Sequence, residues 1–120
     1  FYGGNLCYQM EFETPACQAV LEIPEYAAPL LGIEIDGGPE QPLFAAPYQL
    51  PLGMLTAGTH RVTLRCYGSR INTFGQLHNC NRRERYFGPL TWRTDAERWS
   101  YEYQLHACGV LTAPILKILR

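Results

Sequence analysis

The sequence predicts an all-β protein, an antiparallel β-sandwich or jelly roll of about eight strands. Short alternations of apolar and polar residues recur along the chain, with the period of two that gives a strand one buried and one exposed face. Nine Pro and eleven Gly separate these alternations, as turns between short strands require. No pattern of helical length is present, so two packed sheets are the expected way to cover the apolar faces, with an open barrel as the alternative.

The strands can be assigned in chain order. Four alternations define the clearest ones, at residues 6–12, 31–35, 62–66 and 101–105. The turn residues Asp36-Gly37-Gly38-Pro39 follow the second and indicate a hairpin, because Asp and Gly accept a positive φ. A turn at Gly58-Thr59 precedes the third. Shorter segments complete the set, at residues 19–23, 43–50, 90–93 and 115–119.

One domain is expected over residues 1–120. The chain of 120 residues is long enough for one core and too short for two ordinary domains. With 47% hydrophobic and 18% charged residues and no long apolar run, the composition is that of a soluble globular domain and excludes membrane-spanning, collagenous and disordered classes. Because the chain begins with Phe1 and a strand follows almost at once, we expect a piece excised from a larger protein.

Charge is divided unevenly along the chain. Residues 1–60 hold seven acids and no Lys or Arg, whereas residues 61–120 hold ten bases, nine of them Arg, and four acids. In a sandwich whose strand pairs come from distant parts of the chain, the two halves can face each other as cross-strand partners. Acids from residues 11–40 are therefore predicted near several of these bases: Arg61, Arg65, Arg70, Arg93 and Arg98. A net charge of -1 and a pI near 6.3 argue against nucleic-acid binding.

The five cysteines are an odd number without a C-x-x-C pair, so they favour reduced, mostly buried thiols and a reducing compartment. His78 with Cys80 and His106 with Cys108 form the only metal-like pairings, since each His and Cys would share one face of a strand. Structural zinc sites take their ligands from tight turns at other spacings, so no metal site is predicted.

The patterns of several enzyme classes are missing. A glycosidase needs two facing carboxylates, and the second half of the chain offers four acids, of which Glu84 lies among three Arg and is explained by ion pairing. A G-x-S-x-G nucleophile motif and a Gly-rich phosphate loop before a helix are both absent. The isolated chain is therefore predicted to be non-catalytic; a stand-alone hydrolase would need Glu97 or Glu102.

The longest stretch without clear alternation, residues 68–89, holds the polar residues that suit a ligand. Asn, His and Arg offer directional donors and acceptors for hydroxyl groups, and Trp or Tyr faces suit the C–H face of a pyranose. The same asparagines could instead bond loop backbone, and the tryptophans could be core or domain-interface residues. The residues predicted to face carbohydrate or a neighbouring domain are Arg70, Asn72, His78, Asn79, Trp92, Trp99 and Tyr101.

Several short motifs resemble those of a known family. They are Phe1-Tyr2-Gly3-Gly4-Asn5, Ala46-Pro47-Tyr48, Asn72-Thr73-Phe74-Gly75 with His78-Asn79, Phe87-Gly88-Pro89, and Trp99 with Tyr103-Gln104-Leu105 and Gly109. Over essentially its whole length the chain resembles the galactose-binding-like β-sandwich at the C-terminal end of large bacterial glycoside hydrolases of the family 2-like group. Where relatives often have Asn-Gly-Lys after the second alternation, this chain has Asp36-Gly37-Gly38, which keeps the turn and removes the Lys.

The resemblance implies a non-catalytic accessory module whose partners are a mono- or oligosaccharide and the catalytic domain of the same parent chain, with no nucleic acid and no membrane. Its alternative is a purely structural sandwich whose Asn72, His78 and Asn79 loop packs on that catalytic domain without a ligand. No cofactor is expected. Calcium is frequent in this class of sandwich, but with Asp36 and Asp95 as the only Asp residues a structural calcium site cannot be placed.

Overall fold

A computed structural model describes residues 1–80, 88–89 and 98–119 of the chain. The chain folds as two compact units, unit 1 (Phe1–Gly3 and Ser69–Ala107) and unit 2 (Gly4–Gly68 and Cys108–Arg120). The single domain expected over residues 1–120 stays a prediction. The elements are β1 (Leu6–Thr14), β2 (Cys17–Glu22), β3 (Tyr26–Ala27), β4 (Leu30–Ile35), β5 (Gln41–Leu43), β6 (Gln49–Leu55), β7 (Gly58–Tyr67), α1 (Ile71–Phe74), β8 (Gly109–Val110) and β9 (Ile115–Leu119).

Unit 2 is all-β and antiparallel, as predicted. One sheet has the strand order β1-β7-β4-β5, a second has the order β6-β2-β9, and β3 pairs with β8. Residues of both larger sheets share one buried core, in which Leu21 of β2 packs with Ile33 of β4 and Leu64 of β7. Within the described residues the sheets stay open and form no barrel. The unit therefore has the two-layer character of a sandwich.

The central strand β7 shows why the alternations become strands. Val62, Leu64 and Cys66 are at most 2% exposed, whereas the preceding Arg61 is exposed and the intervening Thr63 and Arg65 are partly exposed. Leu64 lies opposite Tyr8 of β1 and Ile33 of β4, so each inward residue meets an inward partner on both neighbours. A slip of one residue would turn every one of these side chains to solvent, so the pattern determines the register as well as the strand.

The hairpin predicted after β4 is present. Asp36 and Gly37 have φ values of 50° and 74°, and the N–H of Gly38 donates to the Ile35 carbonyl at 2.8 Å. The chain then returns as β5, which pairs antiparallel with β4. Asp and Gly adopt this left-handed backbone conformation at a low cost in free energy, so their presence predicts the turn.

The charge split reflects cross-strand pairing, as predicted. Arg61 Nη2 donates to Glu11 Oε1 at 2.7 Å across β7 and β1, and Arg65 forms an ion pair with Glu40. Arg93 lies outside the described residues. The prediction is thus confirmed for two of the five named bases, which pair with acids from residues 11–40 on the solvent face of one sheet.

Two strand predictions are wrong. Residues 101–105 form no strand. Their alternation comes from exposed side chains, among them the rings of Tyr101 and Tyr103. The backbone N–H of the next residue, His106, donates to the side chain of Asn72 rather than to a neighbouring strand. The segment 43–50 is divided between β5 and β6 by a turn in which the N–H of Tyr48 donates to the Ala45 carbonyl at 3.0 Å. The predicted strand at 90–93 lies outside the described residues.

The cysteines correct a further expectation. Cys17 and Cys66 are buried, but Cys7, Cys80 and Cys108 are exposed, so the thiols are not mostly buried. Burial raises the pKa of the Cys66 thiol, which keeps this group protonated. The reducing compartment stays a prediction. In the described ranges, no helix is long and apolar enough to cross a lipid bilayer.

Candidate functional site

The predicted ligand-facing loop lies in unit 1 and begins with the short helix α1. The N–H groups of Thr73 and Phe74 donate to the Arg70 carbonyl at 3.0 and 2.9 Å, and the N–H of Gly75 donates to the Ile71 carbonyl at 2.8 Å. A Cβ at position 75 would collide with that same carbonyl oxygen, so glycine is required where the chain leaves the helix. Arg70 itself is exposed.

Asn72 points into unit 1 rather than towards a ligand. Its side chain is 9% exposed, its Nδ2 donates to the His106 carbonyl at 2.8 Å, and its Oδ1 accepts from the His106 N–H at 2.9 Å. Both hydrogen-bonding groups of the Asn72 side chain are therefore paired with the backbone of one residue, His106. This pairing replaces two bonds of a sheet ladder and connects α1 to the end of unit 1.

Backbone hydrogen bonds also join residues 78–80 of unit 1 to residues 98–100. The N–H of Ser100 donates to the His78 carbonyl at 2.9 Å, and the N–H of Cys80 donates to the Arg98 carbonyl at 2.8 Å. Asn79 and Trp99 form an isolated antiparallel bridge between them, and Asn79 is 7% exposed. This bridge brings the predicted residues His78, Asn79 and Trp99 together.

Five rings contact one another in series to form an aromatic strip. Centroid distances are 4.9 Å for Phe1 and Tyr103, 4.9 Å for Tyr103 and His78, 4.5 Å for His78 and Trp99, and 6.1 Å for Trp99 and Tyr101. His78 and Trp99 stack at 22°, and Tyr101 meets Trp99 edge-on at 85°. The rings support one another, so the strip holds its shape without being buried.

The aromatic strip is open to solvent along most of its length. Tyr101 is 91% exposed, Phe1 59%, Tyr103 57% and Trp99 38%, and His78 is partly buried between its neighbours. His78 Nδ1 lies 2.9 Å from the Ser100 carbonyl, which can only accept, so in the neutral ring Nδ1 carries the proton and Nε2 is an acceptor. The site thus combines exposed ring surfaces with an imidazole held in one orientation.

The structure brings four of the seven predicted residues into one place: His78, Asn79, Trp99 and Tyr101. Asn72 serves the backbone of His106, and Trp92 lies outside the described residues. Sequence reasoning did not include Phe1 and Tyr103 in the site, although both rings belong to the strip. The spacing Trp99-x-Tyr101-x-Tyr103 was the sequence signal that could have added Tyr103 to the site, but it was interpreted as a strand.

A buried acceptor lies next to the strip in sequence. Gln76 Oε1 is buried and, within the described part of the chain, receives no hydrogen bond. A buried carbonyl oxygen that accepts no hydrogen bond lowers the free energy of unfolding, because it has lost its hydrogen bonds to water. A bound hydroxyl is one group that could supply this donor.

Unit 2 holds a second polar site, a groove of about 540 Å³ on the solvent face of β1, β7 and β4. Within it, His60 Nδ1 lies 2.6 Å from Asp36 Oδ2, a geometry like that of a catalytic pair. His60 Nε2, however, lies 2.9 Å from the Thr56 carbonyl, which is an acceptor and cannot be activated as a nucleophile. Both ring nitrogens therefore face acceptors, and the histidine connects two turns rather than performing acid–base chemistry.

The contacts of His60 with Asp36 and with the Thr56 carbonyl predict that the free energy of unfolding depends on pH. The Thr56 carbonyl and the Asp36 carboxylate raise the pKa of His60, because both favour the doubly protonated ring, and the hydrogen bonds from His60 and the Arg61 N–H lower the pKa of Asp36. The His60 contribution is fully present below its unfolded pKa and lost as pH rises through the raised value. The Asp36 contribution is present above its unfolded pKa and lost as pH falls through the lowered value.

We therefore expect the free energy of unfolding, measured by urea denaturation, to be highest between the two unfolded pKa values and to fall as pH rises through the raised pKa of His60. In His60→Gln this fall should be smaller, because the titrating ring is gone. An equally steep fall in this variant would contradict the assignment to His60.

The two metal-like pairings, His78 with Cys80 and His106 with Cys108, gain no third ligand in the described part of the chain. Among the described residues no three His, Cys, Asp or Glu side chains cluster as metal ligands would. Asp36 is committed to His60 and to the N–H of Arg61 at 2.8 Å, and Asp95 lies outside the described residues.

The chemistry of the aromatic strip has to be inferred from its own residues. Aromatic faces suit apolar C–H surfaces, while the tyrosine hydroxyls and the imidazole offer directional hydrogen bonds. A ligand with both kinds of surface would match it.

Comparison of the chain with protein-family models, with curated proteins and with solved structures finds no match.

Proposed function

We propose that the chain is a non-catalytic, carbohydrate-binding accessory module of a multidomain glycoside hydrolase, with a galactose-binding-like jelly-roll fold. The exposed aromatic strip of unit 1 is the observation that carries the proposal. Bacterial glycoside hydrolases of the family 2-like group are the class that the sequence motifs resemble. The all-β, antiparallel architecture of unit 2 is compatible with that fold.

The exposure of the rings supports a ligand role. A tyrosine that is 91% exposed contributes little to a core, and Trp99 keeps more than a third of its surface in water although it is stacked on His78. Aromatic side chains left at the surface in contact with one another provide apolar area at a low cost in side-chain entropy. The C–H face of a pyranose would cover such area, and its hydroxyls would remain at the edge of the rings.

Polar groups near the strip support the same class of ligand. The His78 ring is oriented by its Nδ1 contact with Ser100, so Nε2 can accept a hydrogen bond from a hydroxyl. Gln76, two residues before His78 in the sequence, has a buried Oε1 that lacks a donor in the described part of the chain. Sugar hydroxyls are donors and acceptors at once and fit such sites.

The proposal assigns no catalytic role to the carboxylates of unit 1, three of which, Glu84, Asp95 and Glu97, lie outside the described residues. Of the described residues of this unit, Glu102 is the one acid, and its backbone N–H bonds the Ser100 hydroxyl at 3.2 Å. Hydrolysis of a glycoside requires two carboxylates about 5–10 Å apart across the sugar. In the proposed module this pair belongs to the catalytic domain of the parent protein.

Titration of the ¹⁵N-labelled chain with a panel of mono- and oligosaccharides tests the proposal. We expect one sugar class at millimolar concentration to shift the Trp99 indole N–H and the amides of residues 76–80 and 99–103. Tyr101→Ala should weaken this binding about tenfold, because it removes the most exposed ring without removing a buried contact. Phe44→Ala, which removes a ring of unit 2 that is 68% exposed, is the matched control and should leave the affinity unchanged.

Absence of any shift at millimolar sugar would overturn the carbohydrate assignment and favour the alternative, a purely structural sandwich that packs on its catalytic domain. Equal weakening by Tyr101→Ala and Phe44→Ala would also contradict it, because the binding would then not depend on the strip. Hydrolysis of chromogenic glycosides that is lost in Glu97→Gln or Glu102→Gln would contradict the non-catalytic role.

A further inference from the structure

We propose that unit 2 contains a ligand-binding cavity that takes a single-ring aromatic molecule carrying one hydrogen-bond acceptor. The cavity has a volume of about 170 Å³ and lies on the inner face of the sheet β1-β7-β4-β5. Tyr8, Met10 and Leu64 line it from this sheet, and residues 110–114 line it from the segment that leads from β8 into β9. All of these residues belong to unit 2, so the cavity and the aromatic strip of unit 1 are formed by different residues.

The segment that closes the cavity is held by residues at the start of β3. The N–H groups of Leu111 and Thr112 both donate to the Glu25 carbonyl, at 3.0 and 3.3 Å, and the Thr112 hydroxyl donates to the Glu25 carboxylate at 3.3 Å. Val110 pairs with Tyr26 in the short sheet of β3 and β8. Because these bonds fix the wall, the cavity exists before a ligand enters, and binding requires little ordering of the chain.

The lining suits an aromatic ring better than water. With Thr112 as the exception, the side chains that line the cavity are apolar or aromatic, and Leu64 is 0% exposed. The thioether of Met10 can contact a ring favourably. An apolar cavity of roughly 150 Å³ stays dry and binds benzene, because a buried water needs two to four polar partners. A volume of about 170 Å³ therefore corresponds to one ring with a small substituent.

The Tyr8 hydroxyl adds one hydrogen-bond donor to this apolar wall. It accepts from the Val110 N–H at 3.3 Å, and Tyr8 and Val110 both line the cavity. The hydroxyl packs closely on Gly109, where a Cβ would lie 2.3 Å from its oxygen, so its position is well defined. Its own proton faces no acceptor within the described residues. A ligand with one acceptor, such as a carbonyl oxygen, can complete the pairing of this group.

A sugar fits this cavity less well than an aromatic ring. A pyranose carries several hydroxyls, and those that face Met10 and Leu64 would lose their hydrogen bonds to water without gaining others. The cavity therefore selects a ligand of a different class from the one proposed for the aromatic strip. Residues 111–113 are exposed, so the cavity opens to solvent and a ligand can enter without unfolding of the core.

Titration of the isotopically labelled full chain with two probes tests the proposal. Acetophenone and α-methylstyrene have nearly the same shape, and only acetophenone has a carbonyl oxygen. We expect both, at millimolar concentration, to shift the NMR signals of Leu64 and residues 110–114. Because the Val110 N–H bonds the Tyr8 hydroxyl, its signal should shift further with acetophenone than with α-methylstyrene.

The ratio of the two affinities isolates the hydrogen bond to the ligand. In Tyr8→Phe the affinity for acetophenone relative to that for α-methylstyrene should fall about fivefold, because the donor is removed and the apolar lining is kept. Tyr67→Phe is the matched control, since it removes a hydroxyl that bonds Glu40 on the solvent face of the same sheet. The ratio should be unchanged in this variant.

Absence of shifts at the lining residues with both probes would overturn the proposal. Shifts confined to Trp99 and residues 101–103 would also overturn it, because the probes would then bind the aromatic strip. An unchanged ratio in Tyr8→Phe, or an equal change in Tyr67→Phe, would contradict the pairing of the ligand with the Tyr8 hydroxyl. If Tyr8→Phe does not fold, equal shifts of the Val110 N–H with the two probes in the unmodified chain contradict this pairing.

Discussion

Replacing Leu64 with alanine is expected to lower the free energy of unfolding of unit 2 by about 2–5 kcal/mol. Leu64 is 0% exposed and lies on the central strand β7, between Tyr8 of β1 and Ile33 of β4. Its side chain contacts the core shared by both sheets, so shortening it removes apolar contacts on several sides and leaves a cavity. This is the largest effect that we expect from a single substitution in the chain.

Urea denaturation followed by far-UV circular dichroism measures this change, because all the described strands lie in unit 2. Leu111→Ala is the matched control: the same side chain is removed where it is 45% exposed, and the loss should stay below about 1 kcal/mol. Similar losses for both leucines would contradict the placement of Leu64 in the centre of the core.

Replacing Asn72 with alanine is expected to lower the stability of unit 1 by about 1–3 kcal/mol. The substitution removes a buried side-chain amide and both of its hydrogen bonds to the backbone N–H and carbonyl of His106. Asn72 was one of the residues predicted to face a sugar. Its geometry instead predicts that this variant loses stability, while the protein that remains folded still binds the ligand of the aromatic strip.

Tryptophan fluorescence during urea denaturation measures the effect, because both tryptophans, Trp92 and Trp99, belong to the sequence of unit 1. Asn5→Ala is the control, since Asn5 Oδ1 accepts from the Gly68 N–H at 3.1 Å at an exposed position and its loss should cost less. An Asn72→Ala protein with unchanged stability and weakened sugar binding would show that the side chain contacts the ligand.

The same two probes address the domain organisation. If fluorescence and circular dichroism report one common transition, the two units unfold cooperatively, as the single domain expected over residues 1–120 requires. Separate transitions would show two domains. In that case Leu64→Ala should move the circular dichroism transition and Asn72→Ala the fluorescence transition.

Much of the fold could be predicted because its signals are local. The alternations at residues 6–12, 31–35 and 62–66 became β1, β4 and β7, and Asp36 with Gly37 marked the turn between β4 and β5. A strand with one buried face needs apolar residues at every second position, so the pattern is a direct consequence of burial. The same period at residues 101–105 was misleading, because there it belongs to rings that contact each other in solvent.

The candidate site could be predicted in part. Trp99, Tyr101 and His78 were selected for the chemistry of their side chains, and the structure places their rings in contact. Phe1 and Tyr103 were not selected, since sequence gives no indication that the first residue contacts a ring far along the chain. The burial of Asn72 was equally invisible, because an asparagine in a loop has the same sequence signature whether it faces solvent or a backbone.

By itself, the sequence determined that the described chain is mostly β and antiparallel, roughly where β1, β2, β4, β7 and β9 lie, and that Arg61 and Arg65 meet acids from the first half of the chain. These features follow from periodicity and composition, which act over a few residues or over the chain as a whole. The tertiary structure alone decided which rings form the aromatic strip, that Asn72 bonds the His106 backbone, and that His60 connects two turns. Each of these depends on residues far apart in the chain, and the contacts that join such residues leave no local pattern to read.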